Sequence, residues 1–312
     1  MDSLNRMAIE LVDEILEYAE TLNVGASELD NGATVIDCGL DFDGGLEAGL
    51  VVTEVQTAGL ATPSLSLERV GPATLPHVTL STDKAGLALL CSQKASWELA
   101  TADFEGLGSG PARALVAAEA EFEHVGYMDA FDLTALAVET AERPTEAVAD
   151  QVAEMADVDP GAVFLLAFPS ASLVGSVTNA ARAAELATVR LVELGYDPQD
   201  IVSASGHAPV APVPADERTA VARSTDALAH GASASLVVTE DLEVVDEVPA
   251  TPADTSFVCR LEDGDWSFED IEPGAVGPAT VTVDVVGGPT HVAGGVREEL
   301  LCESFGLDQS AG

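Results

Sequence analysis

Positive charge is what this sequence most lacks. Lys and Arg number 12 against 54 Asp and Glu, a formal charge of -42 over 312 residues. Lysine is reduced to Lys84 and Lys94. So acidic a surface repels nucleic-acid phosphates and anionic lipid, which excludes both as partners. The opening Met1-Asp2-Ser3-Leu4-Asn5-Arg6 lacks a basic stretch followed by an apolar one, so no secretory signal is expected. No apolar run approaches the ~20 residues that span a bilayer. A cytoplasmic chain is the expectation. Cysteine is scarce too: Cys38, Cys91, Cys259 and Cys302 are widely separated, with no C-x-x-C and no histidine pair beside them. Reduced structural thiols and no metal site are expected.

What is present is a core. Hydrophobic residues make up 47% of the chain and the mean hydropathy is +0.23, incompatible with a disordered acidic tail. The acids are dispersed rather than blocked. Their mutual repulsion loosens a compact fold in dilute buffer. At about 1 M salt the Debye length is only ~3 Å, so neighbouring carboxylates scarcely interact. The chain reads as adapted to molar salt, of a length that allows one large domain or two smaller ones.

The pattern along the chain alternates helix and strand, which argues for an α/β architecture. Ser3 to Thr21 carries Leu4, Met7, Ala8, Leu11, Ile15 and Tyr18 at helical spacing, with Ser3 as N-cap. Ala33 to Cys38 and Leu50 to Val55 read as strands. A helix is predicted over Ala112 to Ala120, a strand over Leu133 to Val138, and a helix over Thr145 to Met155 with Pro144 in its first turn. The apolar run Ala162 to Phe168 reads as a central strand, followed by one long helix from Val174 to Leu194, ended by Gly195. Glu243 to Pro252, acidic and proline-containing, reads as a surface excursion. Ala279 to Val292 is β with a Gly287-Gly288 turn, before a short helix from Val296 to Phe305.

Three stretches are richer in glycine and small polar residues than packing requires. Ser92-Gln93-Lys94-Ala95-Ser96-Trp97 is followed by L-G-S-G-P-A-R-A-L over Leu107 to Leu115, a glycine turn that offers amide N–H groups to an anion. It lacks the Gly-Lys-Ser/Thr of a P-loop, and such turns are also ordinary structural devices. Pro169 to Ser176, running on to Glu185, leaves a buried strand and enters a helix, the usual place for a ligand crevice. Arg182 and Glu185, three apart, share one helical face. An isolated Arg-x-x-Glu is usually a surface pair of little consequence. Here the flanking Ala180, Ala181, Ala183, Ala184 and Ala187 point to a partly desolvated crevice, where an arginine keeps a glutamate ionised and able to act as a base. The third stretch, Ser203 to Val213, reads as an irregular proline-bounded loop. In it His207 is either a general acid/base or a hydrogen-bonded structural group.

These residues resemble a known family. A-T-V-I-D-C-G over Ala33 to Gly39, Ser92-Gln93 with Trp97, L-G-S-G-P-A-R-A-L, A-S-L-V-G-S-V-T-N-A-A-R-A-A-E over Ala171 to Glu185, A-P-V-A-P-V over Ala208 to Val213 and Thr225-Asp226-Ala227 occur in the order found in methenyltetrahydromethanopterin cyclohydrolases. The likeness runs from the opening helix to Ser304-Phe305-Gly306-Leu307 and marks a halophilic archaeal-type member. It departs at Ser224-Thr225, where Thr-Asn is common, and at His230, where a tyrosine often stands. Leu236 to Asp265 matches poorly.

The resemblance implies two α/β domains with the active-site pocket between them, and a homotrimer. The cut is placed after residue 130, giving 1–130 and 131–312, either of which can be discontinuous. It implies hydrolysis of 5,10-methenyltetrahydromethanopterin to the 5-formyl product, with no cofactor and no metal. By the family motif Glu185 matches the catalytic glutamate and Arg182 the arginine that tunes it. Lys94, retained where lysine is nearly gone, is a substrate-binding candidate with Gln93, Ser92, Ser109, Gly110 and Ser172, whereas Lys84 reads as an ordinary surface residue. Two alternatives stand beside this reading: the same ring opening on a methenyltetrahydrofolate, and a pterin-binding protein of the same fold without turnover.

Overall fold

The first helix, α1 (Leu4–Glu17), begins where the sequence predicts, because the Ser3 hydroxyl accepts the Arg6 amide at 3.0 Å. Its apolar stripe of Leu4, Ala8, Val12 and Ile15 is buried. The computed structural model describes residues 2–251, 254–262 and 274–307. Among these the chain forms two units, Met1–Thr62 with Gly86–Thr178, and Pro63–Ala85 with Asn179–Gly312. Both are discontinuous, and the cut expected after residue 130 falls inside the first.

In the first unit, α1 is followed by the short α2 (Ala19–Leu22), the antiparallel strands β1 (Gly25–Glu28) and β2 (Thr34–Asp37), and α3 (Leu46–Gln56). A strand was expected over Leu50 to Val55, and the structure corrects it. The β-branched run suggested a sheet, but Ala48, Val52 and Val55 recur at helical spacing and are buried, and tertiary burial overrides β propensity. Strands β3 (Thr62–Val70) and β4 (Ala73–Thr82) belong almost wholly to the second unit. The first unit resumes with a wide-turned helical segment, Gly86–Gln93, then β5 (Ala95–Thr101) and β6 (Phe104–Ser109).

The helix predicted over Ala112 to Ala120 is instead two short pieces, α4 (Arg113–Val116) and α5 (Ala120–Val125). Ala117 in the left-handed region, φ 47°, separates them. After β7 (Thr134–Glu139), α6 (Glu146–Ala156) starts on an extended Thr145, so Pro144 lies before the cap rather than in the first turn. Strand β8 (Val163–Phe168) takes the central position predicted for it.

The six strands of this unit run in the order β1-β2-β8-β7-β6-β5. Both neighbours of β8 are parallel to it, and the remaining pairs are antiparallel. Ile36, Ala135, Ala137, Leu166 and Phe168 face α1 and α3. On the opposite face Val35, Leu136, Val138, Val163 and Leu165 pack against α6. Burial on both faces explains why β7 and β8 read as continuous apolar runs rather than alternating ones.

The long helix expected from Val174 to Leu194 is broken into α7 (Leu173–Ala180) and α8 (Ala183–Glu193), with Gly195 at φ 95° closing the second. In the second unit β9 (Ile201–Pro209), α9 (Glu217–Asp226), β10 (Ser233–Val238), α10 (Phe257–Glu262), β11 (Thr280–Val285), β12 (Thr290–Gly294) and α11 (Glu298–Ser304) follow. The sheet order is β12-β11-β10-β9-β4-β3. Its alternation is clean. Val78, Leu80, Ala204, Gly206, Leu236 and Val283 lie on the face that carries α8, while Thr79, Ser81, Ser205, His207, Ser233 and Thr282 line the other.

Ser203 to Pro209, expected as an irregular loop, is thus the body of β9. Small residues suit it because a helix presses on one side. The excursion expected over Glu243 to Pro252 is not peripheral either, since Val245, Val248 and Ala250 are buried. Residues 252–253 and 263–265 of the poorly matching region lie outside the described residues. Among the described residues no helix is long and apolar enough to cross a membrane, and all four cysteines are free thiols.

Candidate active site

The break between α7 and α8 sets the geometry of the second unit's site. Arg182 occupies the N-cap position of α8, which puts Glu185 in the first turn, where the helix dipole favours a negative group. The Arg182 Nη1 donates to Glu185 Oε2 at 2.6 Å. Their side chains are 12% and 4% exposed, so this is not a solvated surface pair. Ala183, Ala184 and Ala187, all fully buried, supply the desolvated flank that the sequence predicts. A carboxylate in such a place keeps its charge only with a partner of opposite sign. A guanidinium at this distance stabilises the anionic form.

In the first unit Ser92, Gln93, Ser109 and Gly110 come together. The Ser92 hydroxyl donates to the Gln56 carbonyl at 2.6 Å, and the Ser109 hydroxyl to the Gln93 carbonyl at 2.5 Å. The Gly110 amide donates to the Ser92 carbonyl at 2.9 Å, and its φ of 139° is a conformation that glycine alone adopts readily. Lys94 follows directly, its ammonium paired with Glu121, and these contacts lower the Glu121 carboxyl despite its partial burial.

The residue that holds this corner together was not singled out from the sequence. Arg113 is fully buried and donates from Nη1 to the carbonyls of Leu90 and Lys94, at 3.0 and 2.9 Å. Its Nε meets Glu119 at 2.9 Å and its guanidinium lies 5.4 Å from the Phe122 ring centre. The signal was present in L-G-S-G-P-A-R-A-L, where an arginine interrupts an otherwise small and apolar run.

Ser172 acts as a turn-former. Its hydroxyl donates to the Pro169 carbonyl at 2.7 Å and accepts the Gly175 amide at 2.9 Å. Beside it, Ser170 hydrogen-bonds Glu139, so a carboxylate and a hydroxyl sit where β7 and β8 end. Asp37, at the matching end of β2, accepts the amides of Gly39, Leu40 and Asp41 at 3.0, 2.7 and 2.8 Å. The carboxyl ends of parallel strands are where open α/β sheets place ligands.

Two further clusters lie in the second unit. Asp226, fully buried, accepts the amides of Phe257 and Val258 at 2.7 and 3.1 Å, and His230 Nε2 lies 3.3 Å from it. Its place in the Thr225-Asp226-Ala227 motif is therefore explained by capping α10. His207 is grouped with Glu68 and His77, its Nε2 3.2 Å from the Glu68 carboxylate. That grouping is invisible along the chain, because the three residues are spread over 140 positions and only the order β9-β4-β3 unites them. Lys84 is exposed, as expected.

The sequence profile of the family described as Cyclohydrolase (MCH) matches residues 3–305. A methenyltetrahydromethanopterin cyclohydrolase of Halobacterium salinarum is 54% identical over 310 residues, covering 98% of this chain and 100% of that protein. The enzyme of the same name from Methanothermobacter marburgensis is 36% identical over 323 residues, covering 98% and 100%. That from Methanocella arvoryzae is 36% identical over 316 residues, covering 98% and 99%.

Proposed function

The chain belongs to the cyclohydrolase (MCH) family, and we infer that it hydrolyses 5,10-methenyltetrahydromethanopterin to 5-formyltetrahydromethanopterin. The carrying observation is a match over nearly the whole chain that includes a buried, mutually oriented Arg182–Glu185 pair.

The chemistry asks little of the protein. The methenyl carbon lies in a cationic amidinium and is already electrophilic, so the task is to place and activate one water. In the proposed mechanism Glu185 removes a proton from that water as its oxygen bonds to the methenyl carbon. The carbon–N10 bond then breaks as the new hydroxyl loses its proton to solvent and becomes the formyl carbonyl, and the same carboxyl returns its proton to N10. Charge and atoms balance: the cationic ring and water become a neutral formamide, a secondary amine and one released proton. Arg182 keeps Glu185 anionic and aimed. We assign Lys94, Gln93, Ser92, Ser109, Gly110 and Ser172 to substrate contacts, Lys94 through attraction to the anionic tail of the pterin. No metal or dissociable cofactor takes part in this scheme, because the substrate supplies its own electrophile.

A homotrimer in a cytoplasm of molar potassium completes the proposal, supported by the family resemblance and the charge of -42. The test is the absorbance change of methenyl-tetrahydromethanopterin and of methenyl-tetrahydrofolate mixed with the protein in about 2 M KCl, where surface repulsion is screened. Turnover of the methanopterin substrate alone is expected. Preference for the folate would reassign the substrate, and binding without an absorbance change would leave a pterin-binding protein.

A further inference from the structure

The face of the second unit's sheet that points away from α8 carries one group of side chains for which neither the core nor the proposed reaction has a use. Glu68 on β3, His77 on β4 and His207 on β9 stand on three adjacent strands, and one ligand atom from each lies within 4.8 Å of the others. The imidazoles are stacked, with ring centres 5.0 Å apart and planes 16° from parallel.

Each ring is anchored through the same nitrogen. His77 Nδ1 lies 3.2 Å from the Leu75 carbonyl, which can only accept, so in the neutral ring the proton sits on Nδ1. His207 Nδ1 lies 2.9 Å from the Thr79 hydroxyl. The Thr79 hydroxyl serves either tautomer of His207, so a cation at Nε2 takes the place of the ring proton that otherwise faces Glu68, while Nδ1–H donates to Thr79. An outer-shell partner on one nitrogen that turns the other toward a cation is the usual construction of a histidine ligand. The spacing agrees, since His207 Nε2 and Glu68 Oε1 are 3.2 Å apart, close to the edge of a tetrahedron whose bonds are ~2.0–2.1 Å.

The geometry points to a binding site for a single late first-row divalent metal ion, of which Zn2+ is the probe, held by Glu68, His77 and His207 with a coordination position left open. One ligand atom from each residue within 4.8 Å of the others is a separation that a single shared ion spans. Two nitrogen donors also discriminate. Potassium and magnesium prefer all-oxygen shells, which the remaining acidic surface offers everywhere, whereas imidazole favours zinc, nickel and copper. The bound ion would fasten β3, the edge strand, to β4 and β9, a position where an unprotected strand is otherwise prone to peel.

The experiment uses the full chain, stripped with chelator, in about 2 M KCl. Zn2+ is titrated in competition with a chromophoric chelator, and melting is followed with and without the metal. Expected are one tight equivalent per chain and a rise in Tm, both unaffected by millimolar Mg2+. His207→Gln and Glu68→Gln should each weaken binding more than about 100-fold, and Thr79→Val, which touches only the outer nitrogen, about 10–100-fold. His291→Gln, at the exposed His291–Asp241 pair, should change nothing. Glu68 is half-exposed, so its variant folds even where a change at buried His77 does not. Zn2+ bound equally by wild type and folded Glu68→Gln or His207→Gln, or no equivalent above the weak binding of surface carboxylates, overturns the site.

Discussion

Gly206 on β9 lies so close to Ala184 on α8 that a Cβ on the glycine would stand 2.4 Å from the Ala184 amide nitrogen and 2.9 Å from the Ala183 methyl. That approach seats the first turn of α8, and with it Glu185, on the sheet. Both obstacles are on a helix rather than at the end of a flexible side chain, so the helix itself must move. Gly206→Ala should cost about 1–3 kcal/mol by overpacking, read in chemical denaturation. It should also lower kcat by displacing Glu185. Unchanged stability and turnover would show that α8 is seated by other contacts.

Glu185→Gln keeps the shape of the side chain and removes the base. A loss of about 10²–10⁴ in kcat is expected, the usual contribution of general acid–base catalysis, with the circular dichroism spectrum unchanged. Arg182→Lys should fall in the same direction with a smaller loss, because a lysine retains charge but not the planar fork. Full turnover by a folded Glu185→Gln would remove Glu185 from the mechanism.

The pair was legible in the sequence because small residues on every side of Arg182 and Glu185 leave no other use for two opposite charges. The helix break that places them was not, since Asn179-Ala180-Ala181-Arg182 contains neither glycine nor proline. The central strand β8 was legible from its unbroken apolar run. Helix α3 was misread because Leu50-Val51-Val52 offers β-branched residues at positions that tertiary burial turns into a helix. The group of Glu68, His77 and His207 is hidden for a topological reason: its members come from three strands that the chain alone does not place side by side.

The cysteines should report the core. Burial pushes the Cys91 thiol up to about 12, Arg113 only partly offsetting it, and burial together with Asp37 raises Cys38 further. Since the thiolate is the reactive form, alkylation of the native protein should be confined to Cys259, the one thiol that is not buried. Even there a hydrogen bond from Ser256 is outweighed by desolvation and by Glu303 and Glu262, so its thiol is raised and labelling should quicken only as pH climbs past the ordinary thiol range. Mass spectrometry finding Cys38 or Cys91 alkylated before unfolding would contradict this packing.

Asp226 should be structural rather than catalytic. Replacement by Ala strands the amides of Phe257 and Val258, and a buried donor without an acceptor costs about 1–3 kcal/mol each. Asp226→Asn, which keeps one acceptor oxygen, should cost less. Both variants should lose stability while kcat per folded molecule stays within about twofold, so a large fall in kcat with unchanged denaturation would give Asp226 a chemical role instead.

Salt should act on the fold before it acts on chemistry. With 54 acids against 12 bases, repulsion between surface carboxylates opposes folding, and its range shrinks from about 10 Å at 0.1 M salt to about 3 Å at 1 M. Raising KCl from 0.1 to 2 M should therefore raise Tm by several degrees, most of the gain arriving below about 1 M, where the screening length falls fastest. The Arg182–Glu185 pair is buried and should be nearly insensitive over the same range, so kcat of the fraction that is folded should hardly change. Activity and Tm that both fall as KCl rises would mean that the acidic surface is not what limits this fold in dilute buffer.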